Sequence, residues 1–285
     1  MKIAIASGKG GTGKTTLAVN LAHYFAEREA VALADLDVEE PNSGIFIQGE
    51  LLHRDTLYTQ VPQWQPELCT RCGKCPAWCR FNAVLKLGDQ ILVLPQLCHS
   101  CFACSELCPS SALPMQPREL GEVKHYRSGV LDFIEGRLKI GNEQASPLIH
   151  QTLNYLAESL PDPRHRFYDC PPGTSCAVIA ATREADLVLL VTEPTPFGLY
   201  DLELAVQTMR HLGRETAVVV NRCGIGNAEV FAFCAREHIP VWAQIPDQRS
   251  IAERYSRGEL LHTSVPEFRR ELEKIARQIR ARAGS

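Results

Sequence analysis

Apolar residues along this chain fall into short unbroken runs set between longer stretches of helical period. Val31-Ala32-Leu33-Ala34, Leu187-Val188-Leu189-Leu190-Val191 and Ala217-Val218-Val219-Val220 are continuously apolar, as strands covered on both faces must be. Lys2–Ala6, Phe167-Tyr168 and Val241–Ile245 read as further strands, and Glu122–Tyr126 and Leu131–Ile134 can be two more. Between them, Leu17, Leu21, Tyr24 and Phe25 recur at helical spacing. Further helical stretches are expected over Leu148–Leu160, Leu202–Leu212, Ala228–His238 and Ile251–Arg257. The last helix, Glu267–Arg282, places Phe268, Leu272, Ile275 and Ile279 on a narrow stripe among arginines. Such a stripe suits packing on a domain edge better than burial in a membrane surface. Alternation of strands and helices predicts a mostly parallel, doubly wound α/β sheet.

The pattern breaks between about Gln60 and Pro117, where the chain turns proline-rich and cysteine-dense. That break divides the chain into residues 1–59, 60–117 and 118–285. At 285 residues there is material for one large α/β core plus a small extra module. A net charge of −3 gives no bulk basic field, so nucleic acid is not an expected partner. No secretory signal is visible and no apolar stretch approaches the ~20 residues that span a bilayer. Membrane association is not expected, and the expected location is the cytoplasm.

Candidate chemistry begins at residue 8. Gly8-Lys9-Gly10-Gly11-Thr12-Gly13-Lys14-Thr15-Thr16 follows the first strand and opens the first helix. Strand, glycine loop and helix start form a phosphate cradle. The glycines let backbone N–H groups turn inward around an anion. Lys14 supplies charge for the β/γ-phosphates, and the Thr15 hydroxyl suits Mg²⁺. Asp35 and Asp37 end the second strand, where carboxylates sit beside such a loop. Nucleotide phosphates with Mg²⁺ are the implied ligands.

The twelve cysteines argue against disulfides in a cytoplasmic protein. Cys69, Cys72, Cys75 and Cys79 are repeated in spacing by Cys98, Cys101, Cys104 and Cys108. Both runs are C-x₂-C-x₂-C-x₃-C, the bacterial ferredoxin spacing. On that pattern Cys69, Cys72, Cys75 and Cys108 would bind one [4Fe–4S] cluster, and Cys98, Cys101, Cys104 and Cys79 a second. Zinc sites are the alternative. Cys170, Cys176, Cys223 and Cys234 remain, with small buried apolar thiols as the default reading.

The loop with its early lysine, Lys9-Gly10-Gly11-Thr12-Gly13-Lys14-Thr15, resembles the deviant Walker A motif of MinD/ParA-type P-loop ATPases. The resemblance implies that Lys9 reaches across a dimer to the partner's nucleotide. It also implies that the nucleotide is ATP or ADP, that Asp37 orients the attacking water or links to the Mg²⁺ shell, and that Asp35 stands behind it. Asp169-Cys170-Pro171-Pro172-Gly173 resembles the group's DxPPG pattern. Asp169 would then stand near Mg²⁺ together with Thr15, and the Gly173 N–H would sense the γ-phosphate. Asn221 matches the adenine-reading position, and Pro246-Asp247 resembles the loop closing over the base. Cys176 lies where the nitrogenase iron protein has a cluster-bridging cysteine.

The resulting expectation is a P-loop NTPase sheet with an inserted two-[4Fe–4S] ferredoxin module. It would be a nucleotide-dependent homodimer coupling ATP hydrolysis to electron transfer towards an unidentified redox or cluster-accepting protein. A cluster carrier or assembly ATPase is one rival. A MinD/ParA-like positioning ATPase is the other.

Overall fold

The computed structural model describes residues 1–160 and 165–284. Its strands are β1 (Lys2–Ala6), β2 (Val31–Asp35), β3 (Glu50–Pro62), β4 (Val84–Leu87), β5 (Gln90–Val93), β6 (Met115–Ser128), β7 (Leu131–Leu138), β8 (His165–Asp169), β9 (Leu187–Thr192), β10 (Glu215–Cys223) and β11 (Val241–Pro246). Its helices are α1 (Lys14–Ala26), α2 (Lys74–Trp78), α3 (Ala103–Glu106), α4 (Ala145–Ser159), α5 (Cys176–Thr182), α6 (Pro196–His211), α7 (Glu229–Arg236), α8 (Arg249–Tyr255), α9 (Leu261–Ser264) and α10 (Pro266–Ala283).

One 9-stranded sheet runs in the order β11-β10-β9-β1-β8-β2-β7-β6-β3. The run from β11 to β7 is parallel, and β6 and β3 close the edge antiparallel. The period of two along each strand sends alternate residues to opposite layers. In β1, Ile3 and Ile5 face the layer of α1 and α10, while Ala4 and Ala6 face the layer of α4 to α7. The first layer buries Phe25, Phe268, Leu272, Ile275 and Ile279, which explains the narrow apolar stripe of the last helix. Asp37, Asp169, Asn221 and Pro246 all come at or just past the carboxyl ends of parallel strands, beside the loop after β1. Connections there face one crevice, where open α/β sheets bind ligands.

The fold-class expectation needs correcting at the cysteine-rich stretch. The sheet is mixed, and the stretch is not a separate ferredoxin-type module. Gln60 and Pro117 lie within β3 and β6, paired directly with each other in the main sheet. Beyond them the chain adds a 2-stranded sheet, β4-β5, and the short helices α2 and α3. Its apolar clusters are small, and one joins Ala83 and Cys98 to Val61 of β3. The Ser100 hydroxyl donates to the Gln60 carbonyl at 2.6 Å, and the Gln144 amide donates to the Cys98 carbonyl at 2.9 Å. The outgrowth therefore shares its packing with the edge of the sheet.

Candidate nucleotide site

The loop between β1 and α1 is shaped by two glycines. Gly13 caps α1 at φ 96°, and a Cβ there would meet the Asn221 amide nitrogen at 2.5 Å. A Cβ on Gly8 would stand 2.2 Å from the Asp201 carbonyl oxygen, so only glycine lets α6 approach the loop this closely. Asn221 ties the far end of β10 to the loop by donating from Nδ2 to the Thr12 carbonyl at 2.8 Å. The Ser7 hydroxyl donates to the Lys9 carbonyl at 2.5 Å. Lys14 is buried beneath the loop, and burial lowers its pKa against the opposing pull of Asp169 and Asp37.

Three carboxylates gather below it. Asp35 is fully buried and accepts backbone N–H groups from Asp37, Asn42 and Ser43 at 3.1, 3.0 and 2.9 Å. It thereby folds the loop after β2 back on the strand end. The Ser43 hydroxyl then donates to Asp169 Oδ2 at 2.9 Å. Asp169 Oδ1 is buried with no hydrogen-bond partner. Burial raises Asp169 to about 6, opposed by the nearby Thr15 and Ser43 hydroxyls and by the charge of Lys14. Asp37 also rises to about 6, through burial first and the Asp169 charge second. An orphaned, buried carboxylate oxygen beside a threonine hydroxyl fits a hard cation, which takes oxygen ligands. Thr15 and Asp169 thus have the chemistry to hold Mg²⁺.

A cleft of about 430 Å³ opens over this floor, lined by Gly10, Gly11, Gly13 and Lys14 to Thr16 on one side. Asn221, Arg222, Pro246, Asp247, Gln248, Ile251 and Tyr255 line the other. That volume is in the range of ligand sites, ~300–1,000 Å³. Asp37 and Pro172 reach the cleft, whereas Gly8, Lys9, Thr12 and Gly173 do not line it. The Gly173 N–H donates to the Ser7 carbonyl at 3.0 Å. The Lys9 ammonium pairs with Glu193 of its own chain at 2.9 Å. Sequence reasoning missed Ser43, Glu193, Gln248, Ile251 and Tyr255. Ser43 and Glu193 carry no local motif, whereas Ile251 and Tyr255 lie in the helix expected over Ile251–Arg257, whose periodicity does not mark it as a wall of the site.

The CobQ/CobB/MinD/ParA nucleotide binding domain family matches residues 3–261. The chain belongs to this family. It is a CobQ/CobB/MinD/ParA-family P-loop ATPase, and its site suits Mg-ATP-dependent hydrolysis. An uncharacterized protein of Methanocaldococcus jannaschii is 31% identical over 285 residues, 98% of this chain and 97% of its own length. A second from the same organism is 30% identical over 249 residues, 86% of each chain. In fold the chain is similar to the septum site-determining protein MinD of Pyrococcus horikoshii complexed with Mg-ADP. That likeness has a TM-score of 0.60 at 17% identity, covering 98% of this chain and 95% of that one. The cell division ATPase MinD of Pyrococcus furiosus gives 0.58 at 18%, covering 97% and 98%.

The iron–sulfur expectation is overturned. Cys69, Cys72, Cys75 and Cys108 line one small cleft, and Cys79, Cys98, Cys101 and Cys104 line another, so each predicted quartet does gather. Yet among the described residues no group of three or more His, Cys, Asp or Glu could hold a metal ion. The sulfurs are engaged locally instead. Cys69, Cys79 and Cys108 accept N–H groups from Arg71, Ala83 and Ala112, and the Cys98 thiol faces the Gln60 carbonyl at 3.9 Å. Burial raises the thiols of Cys75, Cys98 and Cys104, while backbone N–H groups lower that of Cys72 and, against burial, that of Cys108, so neither quartet is uniformly poised as thiolate. The two [4Fe–4S] clusters, the ferredoxin assignment and electron transfer through them are therefore not supported. Cys170 and Cys234 are buried as apolar thiols, as expected, while Cys223 is half-buried and Cys176 is exposed at the start of α5. Among the described residues no helix is long and apolar enough to cross a membrane.

Proposed function

We propose that this protein is a MinD/ParA-like positioning ATPase, in which bound nucleotide decides whether two copies close on each other and engage a partner protein. The observation that carries the reading is the linkage Asp35–loop–Ser43–Asp169, which joins the segment after β2 to an unpartnered carboxylate oxygen beside Lys14 and Thr15. Whatever Asp169 binds is felt at once by that segment. In this reading Gly10, Gly11 and Gly13 present backbone N–H groups to the phosphates of ATP, and Lys14 offsets their charge. Mg²⁺ held by Thr15 and Asp169 would neutralise phosphate oxygens as charge develops on them. Asp37, with a pKa of about 6, is mostly carboxylate at neutral pH and can orient a water through its proton. Asn221 and Pro246 flank the base, Gly173 would report the γ-phosphate by giving up its hydrogen bond to the Ser7 carbonyl, and Lys9 crosses to the partner's nucleotide. A nucleotide substrate and twelve free cysteines favour the reducing cytoplasm.

Hydrolysis assays with light scattering test this. Lys14→Ala should lower ATP turnover at least about 100-fold by removing charge stabilisation. Lys9→Ala should keep most nucleotide binding but lose dimerisation on a nonhydrolysable ATP analogue. Wild-type turnover and dimerisation in Lys9→Ala would refute the dimer reading.

The division into 1–59, 60–117 and 118–285 is retained as a proposal about cleavage, supported by the strand-borne outgrowth between β3 and β6. Limited proteolysis should cut between residues 63 and 114 first and leave the flanking segments associated. First cuts within the main sheet would count against it.

A further inference from the structure

Lys9 is the residue whose side chain must travel if two copies share a nucleotide, and the structure gives it a resting place. Its backbone is fixed, because its carbonyl accepts the Ser7 hydroxyl at 2.5 Å and neighbouring Gly8 is pressed against Asp201. Only the side chain is free to swing, and its ammonium pairs with Glu193 at 2.9 Å. Glu193 follows β9, and its side chain is just 7% exposed. A carboxylate that buried needs a cation. It has two, since Arg222 Nη1 approaches its other oxygen at 2.7 Å. Arg222 can therefore keep Glu193 neutralised after Lys9 leaves, so the release strands no buried charge.

We propose that Glu193 is a positioning residue that stores the Lys9 ammonium within its own protomer and sets the ATP concentration at which two copies close. The inference rests on the dimer reading above. A stored lysine is unavailable to a partner, so the pair opposes dimerisation until bound nucleotide offers Lys9 a stronger anion. Neutralising Glu193 removes the competitor while an amide of the same shape fills its place.

The test compares wild type, Glu193→Gln, Lys9→Ala and the double variant by light scattering across a titration with a nonhydrolysable ATP analogue. Acylation of Lys9 by an activated ester, followed by peptide mass spectrometry without nucleotide, reads the lysine directly. Glu193→Gln should dimerise at an about three- to tenfold lower analogue concentration, the size expected for a partly exposed charged pair. It should also acylate Lys9 several-fold faster, which a merely structural role would not do. Glu193→Asp, which lengthens the pair, should lie between, and it serves should the glutamine variant not fold. The gain must vanish in the double variant. Unchanged or weakened dimerisation, or unchanged Lys9 acylation, overturns the proposal. If Lys9→Ala itself dimerises like wild type, the dimer reading is what has failed.

Discussion

Asp35, Asp37 and Asp169 crowd the same strand ends, and their mutual repulsion has a sign that can be measured. Burial raises the folded-state pKa of Asp37 to about 6, above its ordinary value of 3.8. A carboxyl raised on folding adds stability at low pH and loses it as pH climbs through the folded pKa. Asp37→Asn should match wild type in stability below about pH 4. It should become more stable by about 1–2 kcal/mol above pH 6, after discounting for partial exposure. Melting temperatures of both proteins from pH 4 to 8 check this, and parallel curves would reject it. The phosphate loop and Asp169 were legible because their chemistry demands contiguous residues. Ser43 and Glu193 were not. Each reaches the site from a distant segment, and no local pattern marks a serine that will donate to a carboxylate 126 positions away.

Among the elements, α10 was readable because its stripe had the right period, and the structure shows what the stripe meets. Ile275 is fully buried on the α1 face of the sheet. Ile275→Ala should cost about 2–4 kcal/mol through lost transfer and a residual cavity. Urea denaturation measures it, and a loss below ~1 kcal/mol would mean the helix is only loosely attached. β3 escaped notice for the opposite reason. Its first six residues, Glu50 to Asp55, are exposed, so no buried face imprints an alternation on them. What holds β3 is long antiparallel pairing with β6, a nonlocal cause absent from its own sequence. The cysteine spacing misled in a related way, since gathering thiols into two groups does not by itself make a metal site.

At the scale of the whole molecule, the loop after β2 is not free to move alone. The Leu138 N–H at the end of β7 donates to the Val38 carbonyl at 2.7 Å, and Gly44 lies against Phe133 and Glu135 of the same strand. β7 pairs with β6, and β6 with β3, whose 13 residues could span about 40 Å. The β3–β6 ribbon is thus a lever with its short arm at the nucleotide. Only Tyr58–Pro62 of β3 run past the end of β7, a length of about 17 Å, and a tilt of about 5° would sweep their end by about 1.5 Å. Dyes attached at positions 89 and 211 through unnatural amino acids should report a distance change between ADP and nonhydrolysable-ATP states. An unchanged distance would mean that the ribbon does not tilt with the nucleotide. If it does tilt, the tip magnifies a sub-ångström event around one phosphate into a stroke that another protein can feel.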